Sequence, residues 1–480
     1  MSTVKKAASA VLLREAVDGQ LEVYLVERAR HLAFMGGFSA FPGGQCDAAD
    51  FQIPVVGATD AEQKAAIACA ARELFEETRV VVARGVVGEV STCESFVELL
   101  ERYELVIHAS DFLPAGRWIT PEFAPRRFDT RFFLVYLPEG QLPKVVSGGE
   151  LADGRWMRPK DALLDWQLGR RMLAPPTLYI LQSLAAGKDG LFERLHSVPE
   201  ANAGRVERIE IKRGIFLFPL RTPTIAPATH TNCYIVGNKQ LLIIDPASPY
   251  EEEQQRLENF LDTLIAEGAK LEEILVTHFH PDHVGGVAAL RARYGLQVAA
   301  HPLTQQRVGN AFVVDRKIAD GERWQLSGGW LLESLYTPGH TQDHISFYEH
   351  KTRSLLCGDL MAGFGTVVID PPEGNLQAYL ASLDRVAVLD VDALFPSHGP
   401  PTGGARERIS FYISHRLERE AAILSALCEG IFNIPDIVKK VYTDTPQTLY
   451  SLAERSVLSH LEKLIAEGKV TESGGKYMLC

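Results

Sequence analysis

The chain opens with two apolar runs, Ala7 to Leu13 and Leu21 to Val26, separated by the polar stretch Glu15 to Gln20. Two such runs split by a glycine-containing turn predict a β-hairpin. Phe38 to Gly44 reads as a glycine-rich turn, and Ala66, Ala70 and Leu74 fall at helical spacing, which predicts a helix over Ala61 to Glu77. Glu150 to Trp156 predicts a strand leading into a helix from Pro159, and Pro175-Pro176 starts another helix. The polar stretch 188–208 has no strong hydrophobic period and reads as a connector. Ile209 to Leu220, Asn232 to Val236, Gln240 to Ile244 and Ile274 to Val276 then predict strands, with a helix over Glu251 to Gly268, an α/β pattern. After His415 the texture changes. Helices are predicted over 416–429, 434–441 and 449–467, followed by a hairpin turning at Gly474-Gly475, which together predict a winged helix.

A chain of 480 residues that is 46% hydrophobic is long enough for three domains, placed at 1–203, 204–415 and 416–480. The net charge of −12 gives no overall attraction to nucleic acid phosphates or to an anionic membrane. The last domain carries 8 Lys and Arg against 9 Asp and Glu, so it reads as a cap that serves either packing on the metal domain or dimerisation into a homodimer, rather than as a DNA-reading module. Seven cysteines (46, 69, 93, 233, 357, 428 and 480) form no CxxC pair and fit small buried hydrophobes in a reducing compartment. The run Ala7 to Leu13 meets charge at Arg14 and Glu15 and is too short for a membrane span; no signal peptide is expected, and the expected location is cytoplasmic.

The richest chemistry lies in Thr277-His278-Phe279-His280-Pro281-Asp282-His283-Val284-Gly285-Gly286, directly after an apolar strand. Three imidazoles and a carboxylate within six positions suit zinc or another first-row divalent cation, and no thiolate is present to build a closed structural site. Further ligand types follow other apolar runs: His340 in Thr337-Pro338-Gly339-His340, Asp359 in Gly358-Asp359, and His398 in Ser397-His398-Gly399. This ordered set resembles the metallo-β-lactamase superfamily over about residues 205–415. With the winged tail it looks like the lactamase-β-like-2 family, a neighbour of the glyoxalase II group. The resemblance implies a central αββα sandwich, with His278, His280 and His340 around one metal, Asp282, His283 and His398 around a second, and Asp359 bridging them.

Two zinc ions are the expected cofactors, with iron or manganese able to replace them. Zinc lowers the pKa of a bound water to about 7, so the resemblance implies a metal-bridging hydroxide as nucleophile, with Asp282 also orienting it or passing on a proton. Hydrolysis of a thioester or related acyl compound is the expected reaction. His344 is a candidate substrate contact, and Asp245, at a strand end, is either a carboxylate orienting the metal loop or a turn residue.

In the first domain, Glu73, Glu76 and Glu77 lie three and four apart on one helix face and could hold Mg²⁺. With Phe41-Pro42-Gly43-Gly44 before them and Arg72 beside them, they resemble the Nudix box. Trp118 to Pro121 and Arg127 to Phe133 look like the subfamily that includes coenzyme A diphosphatases, which implies an α/β/α domain and a CoA-like small-molecule partner. The chain departs from that pattern at Lys64, where a Glu is expected eight positions before Arg72, and at Arg79, where a Gly is expected. A long insertion separates Gly44 from Arg72, leaving Glu62 or no residue to supply the first glutamate. Two other readings are a metal-dependent endoribonuclease, which the charge balance supports little, and a nucleotide-sensing regulatory protein with a non-catalytic Nudix domain.

Overall fold

The computed structural model describes residues 3–480 apart from 33, 86–94, 147, 205 and 444. Cys93 therefore lies outside the described residues. The chain divides into two compact units, Met1–Phe216 and Leu217–Cys480.

In the first unit, Lys5–Glu15 pairs antiparallel with Leu21–Arg28 and parallel with Phe128–Tyr136, at the centre of a mixed sheet. Alternation along Lys5–Glu15 sends Ala8, Ala10 and Leu12 to one face and Val11 and Leu13 to the other. The first set packs on Ile67, Ala70 and Leu74 of the helix Ala61–Thr78, and the second on Ala162, Trp166 and Ile180 of the helices Pro159–Gln167 and Pro175–Ala185. The layers are helix, sheet, helix. Each large apolar side chain buried this way stabilises the fold by about 1.5–3 kcal/mol.

The polar stretch 188–208 contains more order than its composition suggests. It holds the short helices Leu191–His196 and Pro199–Ala203, and Leu195 and Ala201 are buried in the core beside Trp118. Leu191, Val198 and Val206 pack against the same core, and Leu191, Leu195 and Val198 stand at helical spacing, a period of two turns that is easily lost among the charged residues around it.

In the second unit, which begins at Leu217 within the strand Ile215–Arg221, one sheet continues from that strand through His230–Gly237, Gln240–Ile244, Lys270–Leu275 and Gln297–Ala300 to Arg316–Lys317. A second sheet runs Arg323–Leu326, Trp330–Tyr336, Ile345–Glu349, Ser354–Gly358, Ala393–Pro396. Backbone bonds tie the two sheets at the edge that carries the chemistry: Ile345 N donates to Thr277 O at 2.9 Å, and Asn232 N to Ser397 O at 2.7 Å. The helices Leu376–Ala387 and Ala405–Cys428 cover the second sheet through Tyr379, Leu383, Ile409 and Tyr412.

The helix expected to start at residue 416 starts at Ala405. Its first half packs Ile409 and Tyr412 on the sheet core, and its second half packs Ile423 and Leu427 with Ile437, Val438, Val457 and Leu461. One continuous helix thus serves both cores. The run Ile409-Ser410-Phe411-Tyr412-Ile413 is rich in β-branched and aromatic residues, so propensity alone disfavours the helix that packing imposes. The helices Ile434–Val441 and Tyr450–Ala466 and the hairpin Val470–Ser473 with Lys476–Leu479 complete the winged helix.

Candidate metal centre

Parallel pairing brings strand ends together. Ile244 is the register partner of Leu275, and Gly358 that of Pro396, so the residues just beyond these ends lie along one edge. Those residues are Asp245, the loop His278 to His283, Asp359 and His398, placed where ligand sites of α/β sheets form. The turn at His340 arrives from the strand Trp330–Tyr336. It depends on Gly339, whose φ is 139° and where a Cβ would lie 2.3 Å from the Tyr379 backbone. Gly358 plays a similar part, with φ of 53° and room for no Cβ because His344 Nε2 would be 2.5 Å away.

Three groups of ligand atoms each gather to within 4.8 Å: His278, His280 and His340; His278, His283 and Asp359; and Asp282, His283 and His398. The seven residues expected from the motifs thus converge on one site. His280 Nδ1 lies 3.0 Å from His278 Nε2 and 3.1 Å from His340 Nε2. The Asp359 carboxylate sits between the groups, with Oδ2 3.5 Å from both His340 Nε2 and His398 Nε2 and Oδ1 3.7 Å from His283 Nε2.

The outward nitrogens are committed elsewhere, which fixes what faces inward. His340 Nδ1 donates to Val368 O at 2.8 Å, and His398 Nδ1 to His230 O at 3.1 Å, so each presents an Nε2 lone pair to the cluster. His283 Nδ1 meets Asp245 Oδ2 at 2.8 Å. His278 Nδ1 lies 3.0 Å from Thr277 Oγ1. The buried inward atoms His283 Nε2 and Asp359 Oδ1 have no hydrogen-bond partner. Lone pairs that converge with their outer partners fixed, together with unsatisfied buried atoms, match the donor set of divalent cations rather than a hydrogen-bonded core.

Electrostatics divides the cluster. Burial holds His278 well below the ordinary imidazole value, lowers His280, and pushes His340 down to about 4. Burial opposes charge on His283 and His398 too, but the nearby Asp359 carboxylate outweighs it and raises both. Asp359 itself is held well below the carboxylate range: burial works against this, and His398 and His283 prevail.

His344 does not face open space. It is fully buried, its Nδ1 lies 2.9 Å from Thr337 Oγ1, and its Nε2 accepts the Asp359 backbone N–H at 2.9 Å. Both nitrogens are engaged, leaving none for a substrate, and the ring acts on the Asp359 backbone instead. Asp245 is in direct contact with the metal loop, accepting from Thr277 N at 2.8 Å and Thr277 Oγ1 at 2.7 Å as well as meeting His283. Glu373 was not expected; its carboxylate lies 3.7 Å from His280 Nε2 and 3.3 Å from Arg307.

In the first unit, Arg72 Nη1 donates to both Glu73 and Glu76 at 2.9 Å, while Glu77 accepts the Gly43 N–H at 3.0 Å. Burial raises Glu73 to about 6 and Glu77 to about 8. Glu62 stands at the opposite end of the helix, paired with Arg131 at 2.8 Å. Arg72 also holds a fully buried carboxylate, Asp50, which accepts from Nε at 2.7 Å and Nη2 at 2.9 Å. Counting forward six positions from Gly44, instead of back eight from Arg72, would have found it. Arg79 does end the helix in the left-handed region, at φ 62°, with its guanidinium over the Phe75 ring.

Comparison with known proteins gives three family matches: the metallo-beta-lactamase superfamily over residues 226–398, the beta-lactamase associated winged helix domain over 434–476, and the NUDIX domain over 4–175. The Beta-lactamase-like protein 2 homolog of Caenorhabditis elegans is 30% identical over 244 residues, covering 50% of this chain and 80% of the relative. Its Drosophila melanogaster counterpart is 30% identical over 266 residues, covering 52% and 87%. The Atrochrysone carboxyl ACP thioesterase of Pseudocercospora fijiensis is 29% identical over 249 residues, covering 50% and 71%. Among the described residues, no helix is long and apolar enough to cross a membrane.

Proposed function

The chain belongs to the metallo-beta-lactamase superfamily, with a NUDIX domain before that fold and a winged helix after it, and from this premise we propose a dinuclear metal-dependent hydrolase of thioesters or related acyl compounds. The observation that carries the proposal is the convergence of seven donors with Asp359 placed between two groups of imidazoles. Seven donors exceed what one tetrahedral ion takes. His278, His280 and His340 would hold one cation, Asp282, His283 and His398 the other, and Asp359 both.

When bound, the cations supply Lewis-acid polarisation of the scissile carbonyl and a hydrolytic nucleophile near neutral pH. Zinc is the first choice for a set of imidazoles and carboxylates, with iron and manganese next. The remaining work falls to the protein. Asp245, Val368 O and His230 O set the imidazole tautomers, and His344 fixes the Asp359 backbone. We assign to Asp282, whose Oδ2 lies 3.5 Å from His398 Nε2, the acceptance or return of a proton as well as ligation. The acyl preference rests on the relative named as a carboxyl ACP thioesterase.

For the NUDIX domain we propose a Mg²⁺ site at Glu73, Glu76 and Glu77, with Asp50 holding Arg72 in place and a nucleoside or coenzyme A diphosphate as the substrate class. Purified full-length protein of known metal content, assayed on acyl-CoA thioesters, lactones and single-stranded RNA, tests the first reading. Thioester turnover that vanishes on chelation and returns with added metal is the expected result. Turnover of RNA alone would replace it with an endoribonuclease.

A further inference from the structure

Outside both carboxylate sites the first unit holds a pair of thiols. Cys46 follows the short strand Gly43–Gln45, its backbone N–H donating to Lys6 O at 2.9 Å. Cys69 lies on the helix Ala61–Thr78, fully buried, while Cys46 is half-buried. Their sulfurs and an Asp50 oxygen gather to within 4.8 Å.

This grouping resembles a soft-metal site, but the cation position is already taken. Both Asp50 oxygens accept from Arg72, whose Nη2 also reaches Cys69 Sγ at 3.9 Å. The carboxylate is thus committed to Arg72, and the two thiols remain side by side. Reactive thiols need access and a stabilised thiolate. Cys46 is half-buried where Cys69 is fully buried; their contact lowers the Cys46 pKa against the opposing effect of burial, while that contact and burial push the Cys69 thiol up. Cys69, shielded from solvent, is placed to resolve an oxidised partner.

We propose that Cys46 and Cys69 form a redox pair that hydrogen peroxide closes to a disulfide, tying the Gly43–Gly44 turn to the helix that carries Glu73, Glu76 and Glu77. The Cys46 thiolate attacks one peroxide oxygen, the O–O bond breaks, and the departing hydroxide takes up the Cys46 proton to leave as water. Cys46 is then a sulfenic acid. Cys69 sulfur attacks Cys46 sulfur, the S–O bond breaks as the S–S bond forms, and a second water leaves with the Cys69 proton. Two thiols and one peroxide thus give one disulfide and two waters, and the two electrons come from the sulfurs. The bond also removes the Cys69 thiol from Gly44 O, 3.6 Å from its sulfur, beside the turn whose Gly43 N–H binds Glu77.

The test uses full-length protein in which the exposed Cys428 and Cys480 are replaced by Ser, so that links between molecules do not confuse the result. After peroxide, the protein is denatured in alkylating reagent and mapped by mass spectrometry without reduction. The expected product is a peptide containing Cys46 joined to one containing Cys69, two hydrogens lighter than the sum and separated by dithiothreitol. In Cys69→Ala, dimedone should instead trap Cys46 as its sulfenic acid. The proposal is overturned if Cys46 goes to sulfinic acid while Cys69 is present, if it links to another cysteine, or if both thiols are recovered alkylated after peroxide that oxidises free glutathione. The first mapping decides even if Cys69→Ala does not fold.

Discussion

Asp245 Oδ2 lies 2.8 Å from His283 Nδ1, with both side chains buried and the other imidazole nitrogen facing the donor cluster. The same carboxylate accepts both hydrogen bonds from Thr277, so one side chain sets the histidine tautomer and the start of the metal loop. Asn at position 245 tolerates the left-handed backbone, φ 50°, but offers a single acceptor oxygen to these donors. Asp245→Asn should therefore fold and lose roughly 10- to 100-fold in metal affinity, the usual cost of removing such an orienting partner. Competition with a chromogenic chelator measures this; unchanged retention would reduce Asp245 to a turn residue.

Arg416 acts on the site from the helix shared by the two cores. It is buried, lies over the Tyr379 ring, and donates to Val367 O; the next carbonyl, Val368 O, accepts from His340 Nδ1. Removing the guanidinium leaves a buried carbonyl without this donor and frees the segment that orients His340. Arg416→Met should cost about 1.5–3 kcal/mol of stability, the range for hydrogen bonds to charged groups, and weaken metal retention as well. Calorimetry and metal analysis of one preparation test both parts. A loss of stability with full retention would confine Arg416 to packing.

These two residues show where sequence reading reaches its limit. His278 to His283, His340, Asp359 and His398 are legible because each follows an apolar run, and parallel pairing then brings the strand ends together. Arg416 is not legible. Its role depends on a helix crossing from one core to another, and an Arg in the charged run His415-Arg416-Leu417-Glu418-Arg419-Glu420 has no signature of burial. Asp50 was missed for a different reason: the insertion after it changes the spacing to Arg72, while contact in space preserves the pair. His344, four positions after His340, reads as a substrate contact in the sequence, but spacing cannot show that both its nitrogens are already engaged.

Asp129 predicts a pH effect away from either metal site. Hydrogen bonds from Arg117 at 2.6 and 2.7 Å hold its carboxyl down to about 2 despite burial, with Lys6 adding a third bond at 2.8 Å. Its folded pKa is depressed, so the stability it contributes is complete above the unfolded value of about 3.9 and is lost as pH falls through about 2. Wild type should therefore unfold at a higher temperature than Asp129→Asn by a constant margin from about pH 5 to 8. That margin should shrink between about pH 4 and 2. Calorimetry across this range checks the sign, and a margin that widens in acid would show that another group carries the effect.

The sharpest test separates the two halves of the chain. Asp359 stands between the imidazoles assigned to each cation, so Asp359→Ala removes the one negative charge that both would share and leaves two cations close together with less to offset their repulsion. Thioester hydrolysis should fall on the order of a thousandfold, equivalent to several kcal/mol of lost Lewis-acid stabilisation, and metal retention should fall with it. If the alanine variant does not fold, Asp359→Asn keeps the side-chain volume while still removing the charge. Glu76→Gln combined with Glu77→Gln should leave this hydrolysis unchanged, because those residues belong to the other compact unit and to a different proposed metal. The double variant should instead lose Mg²⁺-dependent release of phosphate-containing products from coenzyme A or nucleotide diphosphates. If it lost thioester cleavage while Asp359→Ala stayed active, the acyl chemistry would belong to the NUDIX half. Diphosphate cleavage absent from both parent and double variant would leave the NUDIX domain a binding role.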